Sequence, residues 1–153
     1  MTHISTFVDE VLASAVMWSD CSPEQALVYA CEHVAARECP LPPLTREDTT
    51  RLVSRICLHE DIDVPHVHFS ERAGRCIGWA SDDSRTVGFS GGNTTAHTVV
   101  HEIAHLTAGA PGHDGPFRAE VVALARRHIG VEYAALLHSL FRGVGLDTAP
   151  WQT

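Results

Sequence analysis

The spacing of the apolar residues changes twice along the chain, and this change restricts the fold more than any other feature. Ile4, Phe7, Val8, Val11, Leu12, Ala15 and Val16 recur at i, i+3, i+4 and i+7, the spacing of one helical face. Ser22-Pro23-Glu24-Gln25 then joins a capping Ser to a Pro at the first helical position and a Gln at the third. That combination predicts a second helix running to Glu38, ahead of Pro40, Pro42 and Pro43. Thr45 is placed to cap a third helix with Leu52, Val53, Ile56 and Cys57 inward, ending before Glu60-Asp61-Ile62-Asp63. From Val64 the period becomes two. Val67 and Phe69 alternate with His66 and His68, Ile77 and Trp79 with Gly78, and Val87 and Phe89 with Gly88. The polar turns Glu71-Arg72-Ala73-Gly74 and Ser81-Asp82-Asp83-Ser84 predict that these three strands pair in succession as an antiparallel meander. Helical spacing returns with Ala96, Val99, Val100, Ile103 and Ala104 behind a cap at Asn93 or Thr94. It breaks at Gly109, Pro111 and Gly112, and resumes over Phe117, Val121, Leu124 and Ala125 after Asp114-Gly115-Pro116. A sixth helix is predicted from Val131 to Phe141. The expected class is α+β, a short antiparallel three-stranded sheet with one helix directly after it and further helices on its flanks.

A chain of 153 residues, 44% of them apolar, fits one domain with a sizeable core. Its expected parts are N-terminal helices over 1–60, the sheet and candidate site over 64–117, and C-terminal helices over 116–143. Nineteen acidic residues against 11 basic ones, a formal charge of −8, disfavour autonomous binding to nucleic acid or to an anionic membrane. No apolar run approaches the roughly 18 residues of a membrane span. The first residues carry Asp9 and Glu10 and no early Lys or Arg, unlike a signal peptide. Cys21, Cys31, Cys39, Cys57 and Cys76 are odd in number and form no C-x-x-C pair, the usage of reduced, mostly buried thiols. The expected location is therefore the cytoplasm.

The chemistry is concentrated in His101-Glu102-Ile103-Ala104-His105, an H-E-x-x-H sequence inside the fourth predicted helix. With His101 at zero, a helix puts His105 at about 40° and Glu102 at about 100°, so all three share one sector. Two imidazoles one turn apart can bind a single zinc ion, and a carboxylate beside them can take a proton from water attacking a carbonyl and return it to the leaving amine. A hydrolytic zinc site needs a third protein ligand and one open position. His113 is the candidate, because the glycines and proline after His105 let the chain leave the helix and turn back. Glu120 would instead make a two-His, one-Glu site. Asp114 is a further rival. Glu120 can alternatively accept a hydrogen bond from a ligand imidazole, or simply be solvated.

Val99-Val100-His101-Glu102-Ile103-Ala104-His105, followed by Gly112-His113-Asp114-Gly115-Pro116-Phe117, resembles the zincin metallopeptidase pattern. Within it the chain is most similar to SprT-like proteins and to a small family of metallohydrolases from actinobacteria and their phages. The resemblance spans about Thr86 to Leu137 and is strongest over Val99 to Phe117. It implies a zincin-like fold, with His113 matching the third zinc ligand and Phe117 the aromatic packed under the site. SprT-like proteases commonly add a zinc ribbon and DNA-binding elements. This chain has no C-x-x-C and is acidic, so DNA-linked proteolysis does not carry over. Nor does it fit the metzincin pattern, since His113 stands eight positions after His105 rather than six.

Three further residues are candidates for substrate contact. His97 lies one turn before His101 and can border the site or face solvent. Trp79 belongs to Ile77–Ala80, the expected edge strand along which zincins bind extended peptides, or else to the sheet core. Tyr133 can donate its hydroxyl to a developing oxyanion, or pack in the core. His66 and His68 share a strand face without a carboxylate or Cys partner, the pattern of a polar strand face rather than a second metal site. The sequence therefore points to a zinc metallopeptidase, one Zn²⁺ per chain, acting on a peptide or protein substrate with Glu102 as general base. The alternative is a zinc-binding regulatory or interaction protein that turns nothing over.

Overall fold

The computed structural model describes residues 3–71, 78–90, 92–109 and 111–153. In chain order the elements are α1 (Ile4–Ser14), a 3₁₀ turn (Ala15–Trp18), α2 (Pro23–Glu38), α3 (Arg46–His59), β1 (His66–Ser70), β2 (Gly78–Ser81), β3 (Thr86–Ser90), α4 (Ala96–Ala108), α5 (Gly115–His128) and α6 (Val131–Gly143). The class is α+β. Among the described residues no helix is long and apolar enough to cross a membrane. Packing divides the chain into two units, Met1–Pro40 with Gly112–Thr153, and Leu41–Pro111.

The first unit is helical and contains α1, α2, α5 and α6. Ser22 caps α2 by accepting from the Gln25 N–H at 3.2 Å, and Asp114 caps α5 by accepting from the Phe117 N–H at 3.2 Å. With those ends set, α2 buries Val28, Cys31 and Val34, α5 buries Phe117, Val121, Leu124 and Ala125, and α6 buries Leu137, Leu140 and Phe141. The stripe expected on α1 is inward only in part. Val11 is fully buried, whereas Ile4, Leu12 and Val16 are exposed. The segment after α6 folds back on the helices. The ring Nε2 of His138 lies 2.8 Å from the Ala149 carbonyl, Arg126 donates to the Gln152 carbonyl, and the Arg126 guanidinium stands 4.8 Å from the Trp151 ring centroid.

The second unit holds α3, the sheet and α4. Thr45 caps α3 as predicted, accepting from the Asp48 N–H at 3.0 Å, and Leu52, Val53, Ile56 and Cys57 are all buried. The sheet departs from the meander. Its order is β1-β3-β2, with β1 parallel to β3 and β2 antiparallel to β3. The predicted hairpin joins β2 to β3 through Asp82–Arg85, but β1 and β2 are not neighbours. The physical reason is burial: Val87, Gly88 and Phe89 are all buried, so β3 takes the centre, where both its ladders are satisfied and neither face is open. β1, with His66 and His68 exposed, and β2, with Trp79 exposed, take the edges. The turn expected over Arg72–Gly74, with Cys76 and Ile77, lies outside the described residues.

The start of α4 also differs from expectation. Its cap is Thr95, without a side-chain capping bond. Thr94 is buried and committed elsewhere, its hydroxyl donating to the Ser90 carbonyl at 3.2 Å and its own carbonyl accepting from the Leu44 N–H at 2.7 Å. Gly109, left-handed at φ 63°, closes the helix after His105.

Candidate metal centre

The sheet presents two different faces. The register aligns Phe69, Phe89 and Gly78 in one row and Val67, Val87 and Ala80 in another, so these residues share a face. That face meets α4. At Gly78 a Cβ would come within 2.8 Å of Glu102 Oε1 and 3.0 Å of both Glu102 Cγ and Thr98 Cγ2. The Glu102 carboxylate therefore lies directly over the main chain of an edge strand, and a side chain at position 78 would force Glu102 and Thr98 to shift.

His101, Glu102 and His105 lie on the buried length of α4 and are 8%, 5% and 9% exposed. The two imidazoles, one turn apart, stand with ring centroids 5.1 Å apart and planes at 71°. The motif is thus enclosed rather than spread on an open polar face. Two imidazoles beside a carboxylate in a shielded setting suit a borderline-soft divalent cation such as zinc.

His113 is placed by the first unit. It directly precedes the α5 cap, and its ring packs edge-on to Phe117, centroids 4.8 Å apart at 84°, and to Tyr29 of α2, 5.0 Å apart at 64°. Its main-chain carbonyl accepts from Arg118 Nη1 at 2.7 Å. Phe117 accordingly packs against the candidate ligand. Asp114 Oδ1 is engaged by the Phe117 N–H in capping α5. Glu120, within α5, is half-buried.

The other candidates fall elsewhere. Trp79 is on the opposite face of the sheet from the one Gly78 shows to Glu102. Its indole lies across Gly88, where a Cβ would stand 2.1 Å from the ring, and next to His68, centroids 6.1 Å apart. Trp79 is 40% exposed there, so it is neither a core aromatic nor a neighbour of the Glu102 carboxylate. His66 and His68 share that outer, exposed face. His97 sits in the first turn of α4, half-buried, with Nδ1 3.1 Å from Thr95 Oγ1. Tyr133 is 3% exposed, and burial pushes its phenol well above the usual range, with Glu32 and Cys39 of α2 adding to the effect. It is an interior phenol of the helical unit.

Two residues near the candidate groups were not singled out by the sequence. Gly78 looked like the polar partner of a strand alternation, with nothing local to mark it as the seat of Glu102. Arg118 left a clearer signal, a lone cation at the i−3 position of Val121 and the i−4 position of Val122, on the inward stripe of α5. No family model matches the chain, and no curated protein or solved structure matches it.

Proposed function

We propose that the protein is a zinc-dependent metallohydrolase of the zincin type that cleaves peptide or amide bonds. His101 and His105 hold the metal, with His113 as third protein ligand and Glu102 as general base. The observation that carries this reading is the enclosed pair of imidazoles on α4 beside a carboxylate seated on the edge strand at Gly78. Zinc, when bound, supplies a Lewis acid that lowers the pKa of water to about 7. Glu102 accepts the proton of the water that attacks the carbonyl carbon. As the C–N bond breaks, the same carboxyl group returns that proton to the leaving amine. An extended peptide paired with β2 through main-chain hydrogen bonds would pass close to this carboxylate.

The near-complete burial of His101, Glu102 and His105 gives weight to a second reading, a zinc-binding regulatory protein without turnover. One experiment separates the two. Metal content is measured by mass spectrometry on protein purified without added metal, for the parent, His113→Ala and Glu102→Gln, alongside hydrolysis of a peptide library. The enzyme reading expects roughly one zinc per chain in the parent, strong loss in His113→Ala, and a Glu102→Gln variant that keeps zinc and loses hydrolysis. A parent that takes up no zinc even when it is offered overturns both readings. A zinc-loaded parent whose cleavage is unchanged in Glu102→Gln overturns the enzyme.

A further inference from the structure

Arg118 is a cation set into the apolar stripe of α5, 4% exposed beside Val121 and Val122. A guanidinium at such a position has to be both paired and hydrogen-bonded, and its partners come from three separate stretches of chain. Nη1 donates to Glu24 Oε1 at 2.6 Å, in the first turn of α2, and to the carbonyl of His113 at 2.7 Å. Nε donates to the carbonyl of Asp147, beyond α6, at 2.6 Å. Glu24 neutralises the charge from the surface, its side chain 56% exposed.

One of these bonds ties the guanidinium to the main chain of His113. His113 follows Gly112 and lies outside regular structure, directly before the cap of α5. The carbonyl bond to Arg118 and the edge-on packing of Tyr29 and Phe117 fix both ends of the residue. We propose that Arg118 is the positioning residue of His113, a buried fork that orients the third ligand in advance and so raises zinc affinity. This rests on the reading of His113 as a ligand. Arg118 touches neither metal nor substrate and acts only through the His113 main chain. Groups that orient a ligand from behind typically contribute 10–100-fold in metal affinity. A lysine keeps the charge but not the planar fork that serves Glu24, His113 and Asp147 together.

The test is a competitive chelator titration of zinc on the full chain, for the parent, Arg118→Gln, Arg118→Lys, His113→Ala and the Arg118→Gln/His113→Ala double variant. Arg118→Gln should bind zinc about 10–100-fold more weakly. Arg118→Lys should lose less, and the double variant should bind no more weakly than His113→Ala alone. Parent affinity in Arg118→Gln, or a loss that persists undiminished without His113, overturns the proposal. Should Arg118→Gln fail to fold by circular dichroism, Glu24→Gln carries the same expectation from the exposed side. Its affinity should fall with His113 present and stay unchanged in the His113→Ala background, and parent affinity in Glu24→Gln alone overturns the role. A parent that binds no zinc, or that loses nothing in His113→Ala, overturns the ligand reading together with this one. Loss in His113→Ala without loss in the Arg118 variants overturns Arg118 alone.

Discussion

Gly78 of β2 and Glu102 of α4 are in contact so close that a single methyl group would not fit, with Oε1 2.8 Å from where a Cβ would stand. Neither obstacle gives way easily, since Glu102 Cγ and the β-branched Thr98 both lie at 3.0 Å. Gly78→Ala should therefore destabilise the protein by about 1–3 kcal/mol, the usual cost of overpacking, in urea denaturation. In a Glu102→Ala background the same substitution should cost clearly less, because the obstructing side chain is gone. Equal costs in the two backgrounds would show that Glu102 is not what constrains position 78.

Zinc should stabilise the fold by mass action if the proposed centre forms. At free zinc of a thousand times Kd the gain is about 4 kcal/mol, visible as a rise in Tm that chelator reverses. His101→Ala and His105→Ala should abolish the rise, while Glu102→Gln should retain it. A Tm indifferent to both zinc and chelator would dismiss the metal centre.

The buried thiols give a pH prediction independent of metal. Burial pushes Cys31 up to about 12 and Cys57 up to about 11, from an ordinary thiol value of 9.0. The folded state thus holds these protons more tightly than the unfolded chain does. Their contribution is complete below about pH 9 and is lost as pH rises through 11 to 12, so stability should be flat on the neutral side and fall across that window. Cys57→Ala should flatten the lower part of the decline. At pH 8, thiol reagents should label Cys21 and Cys39, both half-buried, well before Cys31 and Cys57, whose labelling should follow unfolding. Prompt labelling of all four would contradict the packing.

The rival ligands can be tested by their structural roles. Asp114 caps α5, so Asp114→Ala should cost about 1 kcal/mol and Asp114→Asn much less, with zinc content unchanged in Asn. Glu120→Ala should likewise leave zinc content unchanged. Loss of zinc in either Asp114→Asn or Glu120→Ala would move the third ligand away from His113.

Much of the local structure could be read directly from residue order. Ser22, Thr45 and Asp114 begin their helices as their side chains predict, since a cap bonds an N–H only three residues on. The same holds for the inward residues of α3 and α5. Where a residue had more than one possible partner, the reading failed. Thr94 looked like a cap but spends its hydroxyl on Ser90 and its carbonyl on Leu44, a contact fifty positions away in the chain. Trp79 alternates correctly along β2, yet alternation alone does not say which face is inward, and the indole lies outward over Gly88.

The sequence by itself determined where helices begin, which residues share a helical face, and that two imidazoles and a carboxylate stand together on α4. Those are properties of a 3.6-residue repeat and of hydrogen bonds that close within one turn. Only the tertiary structure decided the strand order, the seat of Glu102 on Gly78, the interior placement of Tyr133 and the three-way anchoring of Arg118. Each of these depends on which distant segments exclude water from one another, and burial of that kind leaves no fixed spacing in the chain.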